Sequence, residues 1–159
     1  LPAEAITETG LPAQVVSTGI PQMMVPVRSL ADVQSLSADE LNVAALNRAC
    51  RAVGTECVMV FTLETEQPAA TVHVRMFAPL LGVPEDPATG SANGALGAYL
   101  VRHRAIPISE STVDIISEQG AELHRPSILY VAVDHSDGEP TEVRVGGQVA
   151  PVIEGVARF

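Results

Sequence analysis

Short apolar and β-branched runs recur along this chain, and their spacing alternates between the two-residue repeat of a strand and the three-to-four-residue repeat of a helix. Residues 13–18 and 23–27 read as strands flanking the break Thr18-Gly19-Ile20-Pro21. Ser37 with Glu40 three positions on forms a capping box, and Leu41, Ala44, Ala45, Arg48 and Ala49 then keep helical spacing, which predicts a helix over 38–53. Residues 57–63 and 71–77 are apolar or β-branched runs joined by the polar Glu64-Thr65-Glu66-Gln67-Pro68, as in a pair of antiparallel strands. A second helix is expected over 91–103, followed by strands over 112–118, 127–134, 142–149 and 155–159, with a hairpin turn at His135-Ser136-Asp137-Gly138-Glu139-Pro140.

Strands and helices do not alternate regularly, which argues against a doubly wound parallel sheet and for an α+β fold with a mostly antiparallel sheet. No internal repeat or low-complexity tract breaks the chain, so a single domain over 1–159 is expected. Residues 1–12, with Pro2, Gly10 and Pro12, read as a lead-in segment or former interdomain linker. The second helix is unusual in composition. It is built of the small residues Ala92, Gly94, Ala95, Gly97 and Ala98, and its glycines weaken it as an isolated helix, since Gly costs about 1 kcal/mol relative to Ala. Such a helix makes sense where strands approach it closely from several sides.

A length of 159 residues allows about 70% of the unfolded surface to be buried. Aromatic residues are 3% of the chain against 47% apolar overall, so Val, Leu, Ile and Ala must fill the core. The formal charge of −10 argues against nucleic-acid or anionic-membrane partners, which require clustered positive charge. All nine basic residues are Arg. Without a lysine, Schiff-base chemistry, pyridoxal phosphate attachment and a P-loop are excluded. Cys50 and Cys57 are expected as reduced core residues. No apolar stretch reaches the roughly 18 residues of a membrane span, and Leu1-Pro2-Ala3-Glu4 does not resemble a signal peptide. A cytoplasmic location is the expectation, for a processed or truncated product that lacks an initiator Met.

The richest chemistry lies in Glu85-Asp86-Pro87-Ala88-Thr89-Gly90-Ser91-Ala92-Asn93-Gly94, where a polar turn feeds a helix start. The first N–H groups of a helix have no intrahelical partner and sit at the positive end of its dipole, so a carboxylate is favoured there, with phosphate as the runner-up ligand. Thr89, Gly90, Ser91 and Ala92 are the candidate donors. Asp86 reads either as a turn residue before Pro87 or as a proton-handling group, and Ser91 as the helix N-cap, as a substrate contact, or both. The spacing Gly90-Ser91-Ala92-Asn93-Gly94 is not that of a nucleophilic serine elbow, and Gly90, Gly94 and Gly97 do not form a dinucleotide fingerprint.

Asp-Pro-Ala-Thr-Gly-Ser-Ala over 86–92, preceded by Val74-Arg75-Met76-Phe77-Ala78-Pro79 and Gly82, resembles the second-domain motif of the PhzF-like isomerases. The likeness extends to Ser17-Thr18-Gly19-Ile20-Pro21, Glu118-Gln119-Gly120, Arg125-Pro126-Ser127 and Val145-Gly146-Gly147. The resemblance implies a diaminopimelate epimerase-like fold, in which a curved, barrel-like antiparallel sheet wraps a central helix. It implies catalytic roles for Asp86 and Ser91, substrate contacts from Thr89, Gly90, Ser91 and Ala92, and cofactor-independent movement of a proton on a small carboxylate-bearing metabolite. It also implies an acid/base Glu and a His from the other domain, whose motifs do not occur in these residues. The isolated chain is therefore expected to hold half a site and to be inactive without an N-terminal domain or another chain. An apolar docking face for that half would favour a non-covalent partner or a homodimer. The alternative is a non-catalytic small-acid-binding or interaction domain.

Elsewhere the chemistry is sparse. His73 and Arg75, two apart in a strand, share one face; an exposed polar face is expected, and a grip on an acidic substrate is the alternative. Glu118 and Glu122 read as surface carboxylates, the Glu64/Glu66 pair as a solvated turn and Arg125 as structural. His103, His124 and His135 lack metal-ligand spacing, and neither a metal nor a cofactor is expected.

Overall fold

The computed structural model describes residues 1–158. Eight strands form one sheet: β1 (Gln14–Ser17), β2 (Pro21–Pro26), β3 (Cys57–Thr62), β4 (Val72–Ala78), β5 (Val83–Asp86), β6 (Thr112–Gln119), β7 (Ser127–Ser136) and β8 (Glu139–Gly147). The order is β1-β2-β3-β4-β6-β7-β8, with β5 branching from β4. All neighbours are antiparallel except β2/β3 and β4/β6. The sheet curls into a half-barrel around a helix of 13 residues, Gly90–Arg102, which touches β1, β2, β6, β7 and β8. The chain thus has the α+β architecture that its patterning and resemblance imply.

Three further helices cover the outer face: α1 (Glu4–Thr7), α2 (Leu30–Gln34) and α3 (Val43–Val53); the central helix is α4. Inside the curl, Met59, Phe61, Val74, Leu96, Tyr99, Leu100, Val131 and Val133 form the main core. Outside it, Ala5, Val33 and Cys50 from the three small helices pack on Val58, Val60 and Phe77. Strands β3 and β4 are consequently buried on both faces. Both cysteines are free and buried.

Several boundaries differ from expectation for local reasons. The helix predicted from Ser37 begins at Val43, because Asn42 is the N-cap, accepting from the Ala45 N–H at 3.0 Å. Leu36, Ala38 and Leu41 pack onto the outer core, which holds the preceding residues as turns. Helix α4 begins at Gly90 with Thr89 as N-cap, so Ser91 lies inside the first turn. Helix α2 was not legible in the apolar spacing. It is nucleated by Ser29, whose side chain accepts from the Asp32 N–H, and by Glu64, which accepts from the Leu30 N–H at 2.8 Å. No strand forms over 155–158, and Phe159 lies outside the described residues. In the lead-in segment, α1 buries Ala5, and the Ala5 carbonyl accepts from the Arg28 N–H at 2.8 Å. The β7/β8 hairpin turns at Asp137 and Gly138, both at positive φ (57° and 88°), as a tight hairpin requires.

The central helix meets β7 at Gly97. A Cβ there would lie 2.7 Å from a Val131 methyl and 3.0 Å from a Val133 methyl, inside a core already filled by these branched side chains. At Gly94 the nearest atoms, the Thr18 hydroxyl and a Val145 methyl, are 3.2 Å away and belong to exposed residues. Gly97→Ala is therefore expected to cost more by overpacking than it gains in helix propensity, with a net loss of about 1–2 kcal/mol and a Tm lower by about 3–6 °C. Gly94→Ala should cost visibly less. Thermal unfolding of the two variants checks this; a stabilised Gly97→Ala would refute the close approach.

Candidate active site

Asp86 ends β5, where it pairs with Met76 of β4. Its carboxylate accepts from the Thr89 hydroxyl at 2.6 Å, which folds Pro87 and Ala88 into a tight connection to α4. The neighbouring residue, Glu85, faces the other way and forms a bidentate pair with Arg75, both N–O distances being 2.7 Å. Arg75 also donates to the carbonyls of Val33 in α2 and of Leu36 just beyond it, and lies 5.2 Å from the centre of the Phe77 ring.

The candidate donors do not present themselves equally. The Thr89 N–H is bonded to the Gln119 carboxamide oxygen at 3.2 Å, and Ala92 is fully buried. Gly90 and Ser91 are exposed, and their N–H groups have no acceptor among the described residues. The Ser91 hydroxyl is likewise unbonded, while its carbonyl accepts from the Thr18 hydroxyl at 3.3 Å. That contact brings the β1/β2 turn against the helix start. A Cβ at Gly90 would meet open space, so the dipole end of α4 faces outward. The arrangement can bind a small anion at two backbone donors and a hydroxyl, with one carboxylate of fixed orientation nearby.

Sequence reasoning missed the residues that build this corner from below. Gln119, 2% exposed, donates to the Asp86 carbonyl at 2.6 Å and to the Thr89 hydroxyl at 3.1 Å, and accepts from Asn93 Nδ2 at 2.9 Å. Period-two spacing puts Gln119 on the core-facing side of β6 with Val113, Ile115 and Ser117, so a carboxamide there signals a buried partner. Asn93 breaks an otherwise small and apolar run in α4 in the same way. Gly120 follows at φ 84°, and a Cβ there would lie 2.6 Å from the Pro87 carbonyl oxygen. The Arg125 N–H closes this turn onto the Gly120 carbonyl at 2.9 Å.

His73 and Arg75 do share a face, yet that face is not solvent: they are 0% and 3% exposed. The outer helices and the Glu118–Glu122 turn cover it. Glu118 and Glu122, expected at the surface, are instead the partners of His73, each 2.8 Å from one ring nitrogen. Glu118 also accepts from the N–H groups of Glu66 and Gln67. A ring between two carboxylates donates from both nitrogens and is therefore an imidazolium.

With this geometry in hand, comparison with known proteins identifies the chain. The model of the phenazine biosynthesis-like protein (PhzC-PhzF) family matches residues 2–155. The chain belongs to this family. It is 35% identical over 141 residues to an uncharacterized isomerase of Clostridium acetobutylicum, covering 89% of this chain and 46% of that protein. Over 83 residues it is 43% identical to trans-2,3-dihydro-3-hydroxyanthranilate isomerase of Pseudomonas aeruginosa, covering 52% of this chain and 29% of that enzyme. A PhzF-family crystal structure from Bacillus anthracis superposes with a TM-score of 0.73 at 23% identity, covering 92% of this chain and 52% of that one. A hydroxyproline epimerase from Agrobacterium vitis shares the fold with a TM-score of 0.58 at 15% identity, covering 82% and 39%. The chain spans under half the length of the curated relatives it matches. No helix among the described residues is long and apolar enough to cross a membrane.

In this PhzF-family chain the buried ion cluster makes stability depend on pH. Burial opposes charge on His73, but the hydrogen bonds and charges of Glu122 and Glu118 outweigh it and hold its pKa above the ordinary value. Burial likewise opposes charge on Glu122, and the His73 bond, a backbone hydrogen bond and the charges of His73 and Arg75 outweigh it, leaving its pKa low. The His73 contribution is complete below the ring's ordinary pKa and is lost as pH rises through its raised one. That of Glu122 is complete above its ordinary pKa and is lost as pH falls through its lowered one. Tm should thus be highest between these limits and fall as pH rises through the raised pKa of His73. His73→Gln should cost about 3–5 kcal/mol between these limits and abolish the fall that accompanies His73 deprotonation; thermal unfolding across pH measures both, and an unchanged profile would dissolve the cluster's role.

Proposed function

We propose that the chain supplies one half of a PhzF-like isomerase site that moves a proton between carbon centres of a small carboxylate-bearing metabolite without a cofactor. The exposed start of α4 carries this reading: two N–H groups without an acceptor among the described residues stand beside a carboxylate locked in place. Gly90 and Ser91 would hold the substrate carboxylate, with Thr89 and Ala92 framing the turn, and Asp86 would take or return the proton. The names of the relatives support the reaction class, and the enzyme of Pseudomonas aeruginosa acts on an anthranilate derivative. The Glu that serves as principal acid/base in such enzymes would come from the other half, so the isolated chain would bind and not turn over. Two buried free thiols suit a reducing cytoplasm.

Titrating the 15N-labelled chain with anthranilate tests the site. The Gly90 and Ser91 amide resonances should move together and saturate, because a carboxylate on an unpaired N–H shifts that proton most directly. Asp86→Asn should retain this binding while cutting turnover by about 100-fold or more once the other half of the site is supplied, the usual worth of a positioned acid or base. Shifts centred elsewhere on the chain, or turnover by Asp86→Asn as fast as wild type with the other half supplied, would remove the assignment.

A further inference from the structure

We propose that Gln119 is the positioning residue of this site, the group that sets Asp86, the N-cap Thr89 and the first turn of α4 in one fixed arrangement. The inference rests on the anion-site reading above and adds to it the residue on which its geometry depends. Four hydrogen bonds converge on a single carboxamide. Its oxygen accepts from the Thr89 N–H and from Asn93 Nδ2, and its nitrogen donates to the Asp86 carbonyl and the Thr89 hydroxyl. That uses both acceptor and both donor capacities of the group. The Thr89 hydroxyl passes the constraint on to the Asp86 carboxylate.

The carboxamide cannot swing, because the backbone that carries it is pinned on both sides. Glu118 is held by His73 and by two loop N–H groups, in register with β4 where His73 faces Glu118 and Val74 faces Gln119. Gly120 brings its backbone against Pro87 so closely that no side chain fits between them. A residue needed only for packing at this core-facing position would be apolar like Val113 and Ile115, since burying a carboxamide is unfavourable unless all its bonds are made. With Gln119 replaced by an apolar side chain, the Thr89 N–H and the Asp86 carbonyl lose their partner, and the 86–89 connection is released to seek water.

The test uses the 15N-labelled chain in three forms: wild type, Gln119→Leu, and Val101→Ala, which opens a cavity in the buried core at the far end of α4. Gln119→Leu should drop backbone order parameters over residues 86–91 from about 0.85 to below about 0.6 and weaken anthranilate binding by a factor of ten or more. Val101→Ala should lower Tm without either change. Gln119→Glu provides a second route if the leucine variant does not fold: its carboxylate keeps both accepted bonds but faces the Asp86 carbonyl without a proton to donate. Order over 86–91 should then be lost where the introduced carboxyl is ionised and recover as pH falls and it becomes a donor again. Order and affinity unchanged in Gln119→Leu, the same losses in Val101→Ala, or no recovery in Gln119→Glu at low pH would each overturn the proposal. Wild type that shows no anthranilate shift at Gly90 and Ser91 would sink the anion site instead, and the order parameters would still decide the role of Gln119.

Discussion

The close approach of α4 to the curled sheet is the constraint from which the other features follow. A helix can be enclosed by five strands only if its surface is nearly smooth, and Gly94, Gly97 and three alanines provide that. The poor helix propensity of the two glycines is offset by burial: the helix is enclosed on almost every side, with Leu96, Tyr99 and Leu100 filling the concave face. Because the strands surround its body, only its ends are open. The N-terminal end, with donors unpaired among the described residues and a positive dipole, is therefore the natural place for an anion.

The loop that delivers the chain into that end is held from two opposite sides of the sheet. On the inner face, Gln119 and Asn93 grip Thr89 and the Asp86 carbonyl. On the outer face, Arg75 grips Glu85 while bonding the Val33 carbonyl of α2 and the Leu36 carbonyl just beyond it. Adjacent residues of β5 are thus anchored on opposite faces, which fixes the rotation of the strand and with it the direction of the Asp86 side chain. Buried charges of this kind are costly to isolate, so each is paired more than once. The His73 cluster completes the same pattern one register step away, fixing the end of β6.

Much of the fold was legible locally. The strand at 57–62, the strand at 72–78, the antiparallel pairing between them and the hairpin at 137–138 follow from alternation and turn chemistry. The helix start at 89–90 was marked by its Pro and Gly residues to within one position. What failed was any inference that needed to know which faces were covered. His73 and Arg75 carry the period-two signature of a solvent face, yet α2 and the 118–122 turn lie over them. Ser37 and Glu40 carry a capping signature, yet Leu36, Ala38 and Leu41 pack on the outer core outside any helix, and Asn42 starts the helix.

The sequence by itself determined the element types, the small-residue central helix, the exclusion of lysine chemistry and the location of the Asp86–Ala92 corner, because each depends on neighbours within a few positions. Only the tertiary structure decided which donors stay open, since the Thr89 N–H is taken by a residue thirty positions away and Ala92 is buried by the sheet. It alone joined Gln119 to Asp86 and His73 to Glu118 and Glu122. Those contacts are set by strand register and by the curl of the sheet, which no local spacing encodes.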